Sequence, residues 1–204
     1  MNVLLDVDMI MIDVLNYKNN ISDNNHICND ICTQYAIEQN TTPDEIYNNI
    51  KEYGITGDEK YLYNYFSNIV YNTYAKDFTK VISLIKNFSK GWKVNNLYII
   101  SHTKRGFKCY NTKLSYLNKF LNENKDLYRN SYIIFTEEIG DKLEFIKNSN
   151  IKFDLIIDDN YREYNDKSKN SIKMLKDTIF CIPRRIPWRD KYIEELNEYS
   201  VLIY

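Results

Sequence analysis

Two aspartates one residue apart follow a short apolar segment at the start of the chain, where Val3, Leu4 and Leu5 precede Asp6 and Asp8. A continuous apolar run is typical of a strand in a parallel sheet, which is buried on both faces. Such sheets bind ligands beyond the carboxyl ends of their strands. Because two carboxylates this close repel each other unless a cation compensates, the pattern favours a metal and phosphate site. A solvated acidic turn is the simpler interpretation.

Polar residues also follow later apolar segments. Ser101 follows the second segment, Asp158 and Asp159 follow the fourth, and Lys142 lies between the third and the fourth. If these segments are parallel strands, their carboxyl ends share one edge of the sheet, and carboxylates, a hydroxyl and an ammonium group converge there. Such a set could hold a metal ion, a nucleophile and a phosphoryl group. The alternatives are that Ser101 caps the following helix and that Lys142 is a solvated surface residue.

The apolar periodicity predicts the elements that must position these residues. Strands are predicted at 3–5, 97–100, 132–135, 153–157, 179–182 and 201–203, with helices at 78–88, 110–121, 142–148 and 172–175. This alternation predicts an α/β fold with a doubly wound parallel sheet. Residues 16–75 instead have helical spacing, so we predict a core of residues 1–15 and 76–204 with an all-helical cap at 16–75.

One helix start within the predicted cap has a specific signal. Thr42 can cap the helix, Pro43 suits the first helical position, and Glu45 can return the second bond of a capping box.

Composition limits the class of protein. The chain has 204 residues, 44% of them hydrophobic, and a net charge of −1. This charge gives no general attraction to nucleic acid or to membranes. No apolar run approaches the roughly 18 residues of a membrane span, and the N-terminus does not resemble a signal peptide. Four cysteines do not make a disulfide framework. These features predict a cytoplasmic protein.

Four segments, read in order, resemble the motifs of the haloacid dehalogenase superfamily of phosphatases. They are LLDVDMI, LYIISHTKRG, DKLEF and FDLIIDDN. The resemblance covers residues 1–15 and 76–185, and the predicted helical insertion lies where that family carries cap domains. The helical cap and the late Ile186-Pro187-Trp188 also resemble the 5'(3')-deoxyribonucleotidases.

The resemblance implies roles for the acidic residues. Asp6 would be the nucleophile that forms an aspartyl-phosphate, and Asp8 would be the general acid and base. Mg²⁺ would be bound by Asp6, Asp8 and Asp158, with Asp8 contributing its backbone carbonyl. Asp159 would complete the metal site by orienting either a metal-bound water or the motif lysine.

The resemblance also implies how the substrate is held. Ser101 and its neighbouring backbone N–H groups would bind the phosphoryl oxygens, and Lys142 would stabilise the charge of the transition state. Lys147 is the alternative for the motif lysine. Independently of the resemblance, His102, Lys104 and Arg105 follow Ser101 closely in the sequence. They either contact the phosphate or the base of the substrate or form the exposed start of a helix.

The sequence departs from the family pattern after the second aspartate. Met9 stands where the family usually has glycine, and Ile10 stands where it usually has threonine or valine. Glycine allows backbone conformations that other residues resist, so Met9 bears on the geometry of this loop and on the catalytic rate.

These expectations define a magnesium-dependent hydrolase, a nucleotidase-like phosphatase that acts on a small phosphomonoester such as a (deoxy)nucleoside monophosphate. The alternatives are a phosphatase for nucleic-acid ends or another phosphorylated metabolite, and an inactive relative that only binds a ligand. A phosphorylation receiver domain uses similar residues, but its acidic pair follows the first strand. We expect no membrane partner and no stable nucleic-acid complex, and a homodimer is left open.

Overall fold

The structure is a computed structural model. It describes residues 1–8, 10–11, 33, 36–37, 40–46, 48, 79–103, 108–136, 141–159, 175, 177–182 and 200–203. The chain divides into two compact units. The first contains Met1–Met11, Asp77–Arg105 and Leu117–Tyr204, and the second contains Ile12–Lys76 and Gly106–Tyr116. The second unit therefore includes residues 106–116 in addition to a segment close to the predicted cap.

The first unit contains a six-stranded parallel sheet. Its strands are β1 (Asn2–Leu5), β2 (Val94–His102), β3 (Tyr128–Thr136), β4 (Leu155–Ile157), β5 (Ile179–Ile182) and β6 (Ser200–Ile203). Their order in the sheet is β3-β2-β1-β4-β5-β6. This is the order of many doubly wound folds, and it reverses between β1 and β4. The predicted α/β class is confirmed, and the sheet is compatible with a Rossmann-like core.

Three helices are described from end to end: α1 (Thr79–Phe88), α2 (Lys108–Glu123) and α3 (Asp141–Ser149). Helix α1 buries Val81, Leu84 and Ile85 at helical spacing. It ends at Phe88 and is followed by a Schellman motif, in which the Gly91 N–H donates to the Lys86 carbonyl at 2.8 Å and the Lys90 N–H donates to the Asn87 carbonyl at 3.2 Å. Lys90 and Gly91 both have a positive φ, 53° and 79°. No helix in the described part of the chain is long and apolar enough to cross a membrane.

The sheet is buried on both faces near its centre. Leu4, Tyr98 and Ile156 are register partners on three neighbouring strands, and they pack in one core cluster with Ile146 of α3 and Phe153. The residues before and after each of them, whose side chains point to the other face, are also buried. Fully burying one such side chain contributes about 1.5–3 kcal/mol. This packing explains the continuous apolar runs in the sequence, and it fixes α3 against the sheet.

The amino-terminal end of the sheet is held by side-chain amides. Asn96 donates from Nδ2 to Oδ1 of Asn2 at 2.8 Å, and Asn130 donates from Nδ2 to Oδ1 of Asn96 at 3.1 Å. These residues are register partners on β1, β2 and β3. This asparagine ladder satisfies polar groups within the strands and fixes their register.

In the second unit, the predicted helix start at Thr42 is present. The Thr42 hydroxyl accepts a hydrogen bond from the Glu45 N–H at 3.3 Å. The Glu45 carboxylate accepts from the Thr41 hydroxyl instead of returning a bond to Thr42, so only half of the predicted capping box forms. Most of the predicted cap and most of the predicted helix at 172–175 lie outside the described residues.

Candidate functional site

The first two acidic residues of the site lie where the strand order reverses. Asp6 directly follows β1, and its N–H donates to the Ile157 carbonyl at 2.9 Å. Asp158 directly follows β4, and its N–H donates to the Cys181 carbonyl at 3.2 Å. Because β1 and β4 are neighbours, their carboxyl ends place both aspartates at the crevice where open parallel sheets bind ligands.

Lys142 joins these two aspartates. Its Nζ atom donates to Oδ1 of Asp6 and to Oδ2 of Asp158, each at 2.8 Å. Only 3% of the Lys142 surface is exposed. The lysine is on α3 four residues before Ile146, so both lie on the helix face that packs towards the sheet. The same packing that buries Ile146 therefore carries the ammonium group to the carboxyl ends of β1 and β4.

A third carboxylate completes a group that could hold a metal ion. Among the described residues, Asp6, Asp158 and Asp159 each offer an oxygen, and these oxygens lie within 4.8 Å of one another. We call these three residues the acidic cluster. Carboxylate oxygens are the hard donors that Mg²⁺ prefers. When fully ionised, the cluster carries three negative charges, and among the described residues the ammonium group that contacts it is that of Lys142. A divalent cation therefore suits its charge as well.

Two carboxyl groups of the acidic cluster, those of Asp6 and Asp159, have raised pKa values, which favour their protonated forms. Burial raises the pKa of Asp6 well above its usual value of 3.8, Lys142 opposes this rise, and Asp158 and Asp8 add to it. Burial likewise raises the pKa of Asp159 to about 9, with Asp158 and Asp6 adding to the rise. A further cation would favour the ionised forms.

Asp8 has a different surrounding from the acidic cluster. Its Oδ2 atom accepts a hydrogen bond from the Ser101 hydroxyl at 3.3 Å. Ser101 is fully buried within β2, so it is a strand residue that faces Asp8 and not the cap of a helix. The hydroxyl and the second aspartate therefore lie together beside the first aspartate.

Of the remaining predicted residues, the structure describes His102 but not Lys104, Arg105 or Met9. His102 is half-buried and ends β2. Sequence reasoning did not single out Thr103 and Thr136, which are both buried. The Thr103 N–H donates to the Thr136 carbonyl at 2.9 Å. Their signal was the same as that of Ser101, a polar residue at the carboxyl end of an apolar strand.

The predicted set thus meets in part at one edge of the sheet. Asp6, Asp158, Asp159 and Lys142 come together, with Asp8 and Ser101 adjacent. A scan against protein-family models found no matching family, and a search of curated proteins found no match. The chemistry of the site therefore has to be inferred from its geometry. A buried carboxylate held by an ammonium group, beside further acids and a hydroxyl, can attack an electrophile and exchange protons.

Proposed function

We propose that the chain is a magnesium-dependent phosphomonoesterase of the haloacid dehalogenase type. It would hydrolyse a small phosphorylated metabolite, with a (deoxy)nucleoside monophosphate as the first substrate to test. The observation that carries the proposal is the buried contact of Lys142 with both Asp6 and Asp158. These residues come from three of the motifs on which the sequence resemblance rests, and the fourth supplies Ser101.

Asp6 suits the role of nucleophile because it is fixed and nearly buried, with 4% of its surface exposed. In the proposed reaction, a carboxylate oxygen of Asp6 attacks phosphorus, and the bond from phosphorus to the ester oxygen breaks. Asp8 gives a proton to the leaving alcohol. Water then attacks the phosphorus of the aspartyl-phosphate, Asp8 takes a proton from that water, and phosphate leaves while Asp6 is restored.

The attacking carboxylate must be ionised, although burial raises the pKa of Asp6. Lys142 keeps one positive charge beside it. Mg²⁺, when bound by Asp6, Asp158 and the Asp8 backbone carbonyl, would offset the repulsion between the anionic carboxylate and the anionic substrate. Asp159 lies close enough to act with this group. The acidic cluster fits Mg²⁺ by its donor atoms and by its charge.

Ser101 suits a role in positioning. Its hydroxyl donates to Asp8, and in the substrate complex it would bind a phosphoryl oxygen together with neighbouring backbone N–H groups. The bond to Asp8 orients the carboxylate that exchanges protons with the leaving group. Ser101 would thus contact both the phosphate and the acid that serves it.

The strand order also separates this proposal from a signalling role. Receiver domains have the flavodoxin-like order, in which strand 2 is at the edge and strand 1 lies between strands 2 and 3. Here β3 is at the edge, and β1 lies between β2 and β4. The sheet therefore favours the phosphatase over the receiver alternative.

The test is phosphate release from a panel of nucleoside 5'- and 3'-monophosphates, with other phosphometabolites and end-phosphorylated oligonucleotides alongside. We expect Mg²⁺-dependent release from at least one mononucleotide, and a loss of at least about a thousandfold in Asp6→Asn. Asp126→Asn is the matched control, because Asp126 is exposed and pairs with Lys86 on the surface. Activity that survives Asp6→Asn would remove Asp6 as nucleophile. Absence of release from every substrate would favour a binding protein.

A further inference from the structure

We infer that Lys142 is the internal counter-ion of the acidic cluster. It holds the carboxylates of Asp6 and Asp158 together when no metal is bound, and it lowers the affinity of the cluster for Mg²⁺. This inference rests on the metal site of the proposed function, but not on the hydrolysis of a phosphate ester.

The first support is the depth at which the ammonium group is held. The side chains of Lys142 and Asp6 are 4% and 5% exposed, and that of Asp158 is 2% exposed. Lys152 and Asp177 form a pair of nearly the same length, 2.9 Å, with 64% and 72% of their side chains exposed. Water and salt screen the exposed pair, whereas the buried charges interact through a medium of much lower dielectric constant.

The second support is that the ammonium group and a metal ion would share the same ligands. Each of Asp6 and Asp158 gives one oxygen to Nζ. A magnesium ion bonded to either carboxylate at about 2.1 Å would lie no more than about 7 Å from Nζ. The two cations would repel each other at this distance and divide the negative charge of the same carboxylates. The cluster with its lysine should therefore bind Mg²⁺ more weakly than the cluster without it.

The third support is the way the lysine is anchored. The Lys142 backbone belongs to α3, which is fixed against the sheet by Ile146. A surface lysine could swing away from an arriving cation, but a side chain that is 3% exposed has little room to do so. The ammonium group of Lys142 therefore stays in the site when a metal ion binds, and its positive charge repels that ion.

The experiment is calorimetric titration of the full chain with MgCl₂ in three forms: wild type, Lys142→Met and Lys152→Met. Methionine keeps the length of the side chain and removes the charge. We expect Lys142→Met to bind Mg²⁺ at least about tenfold more tightly than wild type. Its melting temperature should also rise more on addition of Mg²⁺. Lys152→Met removes the same charge at an exposed pair and should match wild type in both measurements.

The outcomes separate the inference from the proposed function. Equal or weaker Mg²⁺ binding by Lys142→Met would overturn the inference and leave the metal site in place. Absence of binding by every form would overturn both. Tighter binding by Lys142→Met in a chain without phosphatase activity would sustain the inference and remove the proposed reaction. If Lys142→Met is unfolded without metal, recovery of its circular dichroism on adding Mg²⁺ supports the inference, and a chain that stays unfolded contradicts it.

Discussion

The raised pKa of Asp159 makes the stability of the metal-free protein depend on pH in an unusual direction. Burial raises this pKa from 3.8 to about 9, while in the unfolded chain the carboxyl group titrates near 3.9. Between these two pH values the folded protein holds a proton that the unfolded protein has lost. The free energy of unfolding therefore falls as pH rises, since stability falls wherever the folded state binds more protons. The contribution is complete below pH 3.8 and is lost as pH rises towards 9.

The magnitude follows from this one proton. Each retained proton changes the free energy of unfolding by about 1.4 kcal/mol per pH unit, so Asp159 alone accounts for up to about 4 kcal/mol between pH 5 and pH 8. This is a large part of the 5–15 kcal/mol that typically stabilises a domain. Asp6, whose pKa is also raised, acts in the same direction. Mg²⁺ binding requires ionised carboxylates and displaces these protons, so saturating Mg²⁺ should flatten or reverse the dependence.

The measurement is urea unfolding in the presence of a chelator at several values between about pH 5 and pH 8. Asp159→Asn is the matched variant, because asparagine resembles the protonated side chain and does not titrate. The difference in free energy between the two proteins removes the contribution of the histidines and other groups. The stability of wild type relative to Asp159→Asn should fall with pH. A difference that is constant or that rises with pH would refute the assigned protonation of Asp159.

Two further predictions concern the fold that carries the site. Phe153 is 1% exposed and packs edge-on against Tyr98 with ring centroids 5.3 Å apart. Phe153→Ala should therefore lower the free energy of unfolding in urea by about 3–5 kcal/mol. The control is Tyr132→Ala on the edge strand, where the side chain is 44% exposed. A loss of stability in Phe153→Ala no larger than that in Tyr132→Ala would contradict this packing. Asn96→Ala interrupts the asparagine ladder and should cost about 1–3 kcal/mol, whereas Asn95→Ala, at the exposed neighbouring position, should change stability by less than about 0.5 kcal/mol. Equal losses in these two variants would argue against the ladder.

The carboxyl ends of the strands were predicted more closely than the starts of β2, β3 and β4. Apolar runs place the ends of β1 and β4 correctly, at Leu5 and Ile157, and the end of β2 two residues early, at 100 instead of His102. The residues at and after these ends carry the site. The predicted starts of β2 and β3 are wrong by three and four residues, at 97 and 132 instead of Val94 and Tyr128. The missing residues include Asn96 and Asn130, which a hydrophobic pattern excludes from a strand. They belong to the sheet because the asparagine ladder satisfies their amides, and this pairing exists only between strands.

The predicted start of β4 is two residues too early, whereas those of β2 and β3 are too late. The apolar run begins at Phe153, and the strand begins at Leu155. Phe153 is buried, but its carbonyl accepts a hydrogen bond from the Thr178 hydroxyl at 2.8 Å instead of continuing a ladder. Burial and strand pairing are separate conditions, and hydrophobicity reports only the first. The apolar pattern therefore overestimates a strand wherever the chain enters the core before it joins the sheet.

The choice between the two lysines of α3 follows from helix geometry together with the packing of Ile146 in the core cluster. Residues four positions apart share a helix face, so Lys142 lies on the side of Ile146, while Lys147 is rotated away from Lys142 by about 140°. Since Ile146 is apolar and packs in the core, Lys142 is the lysine that turns towards the sheet. The position of a residue around the helix axis does not determine how far along the strands its ammonium group lies. That distance depends on α3 beginning at Asp141, level with the ends of β1 and β4, and the level is set by tertiary packing. A lysine on the same face one turn later would meet the apolar strand residues instead of two carboxylates, and no counter-ion would then hold Asp6 and Asp158 together.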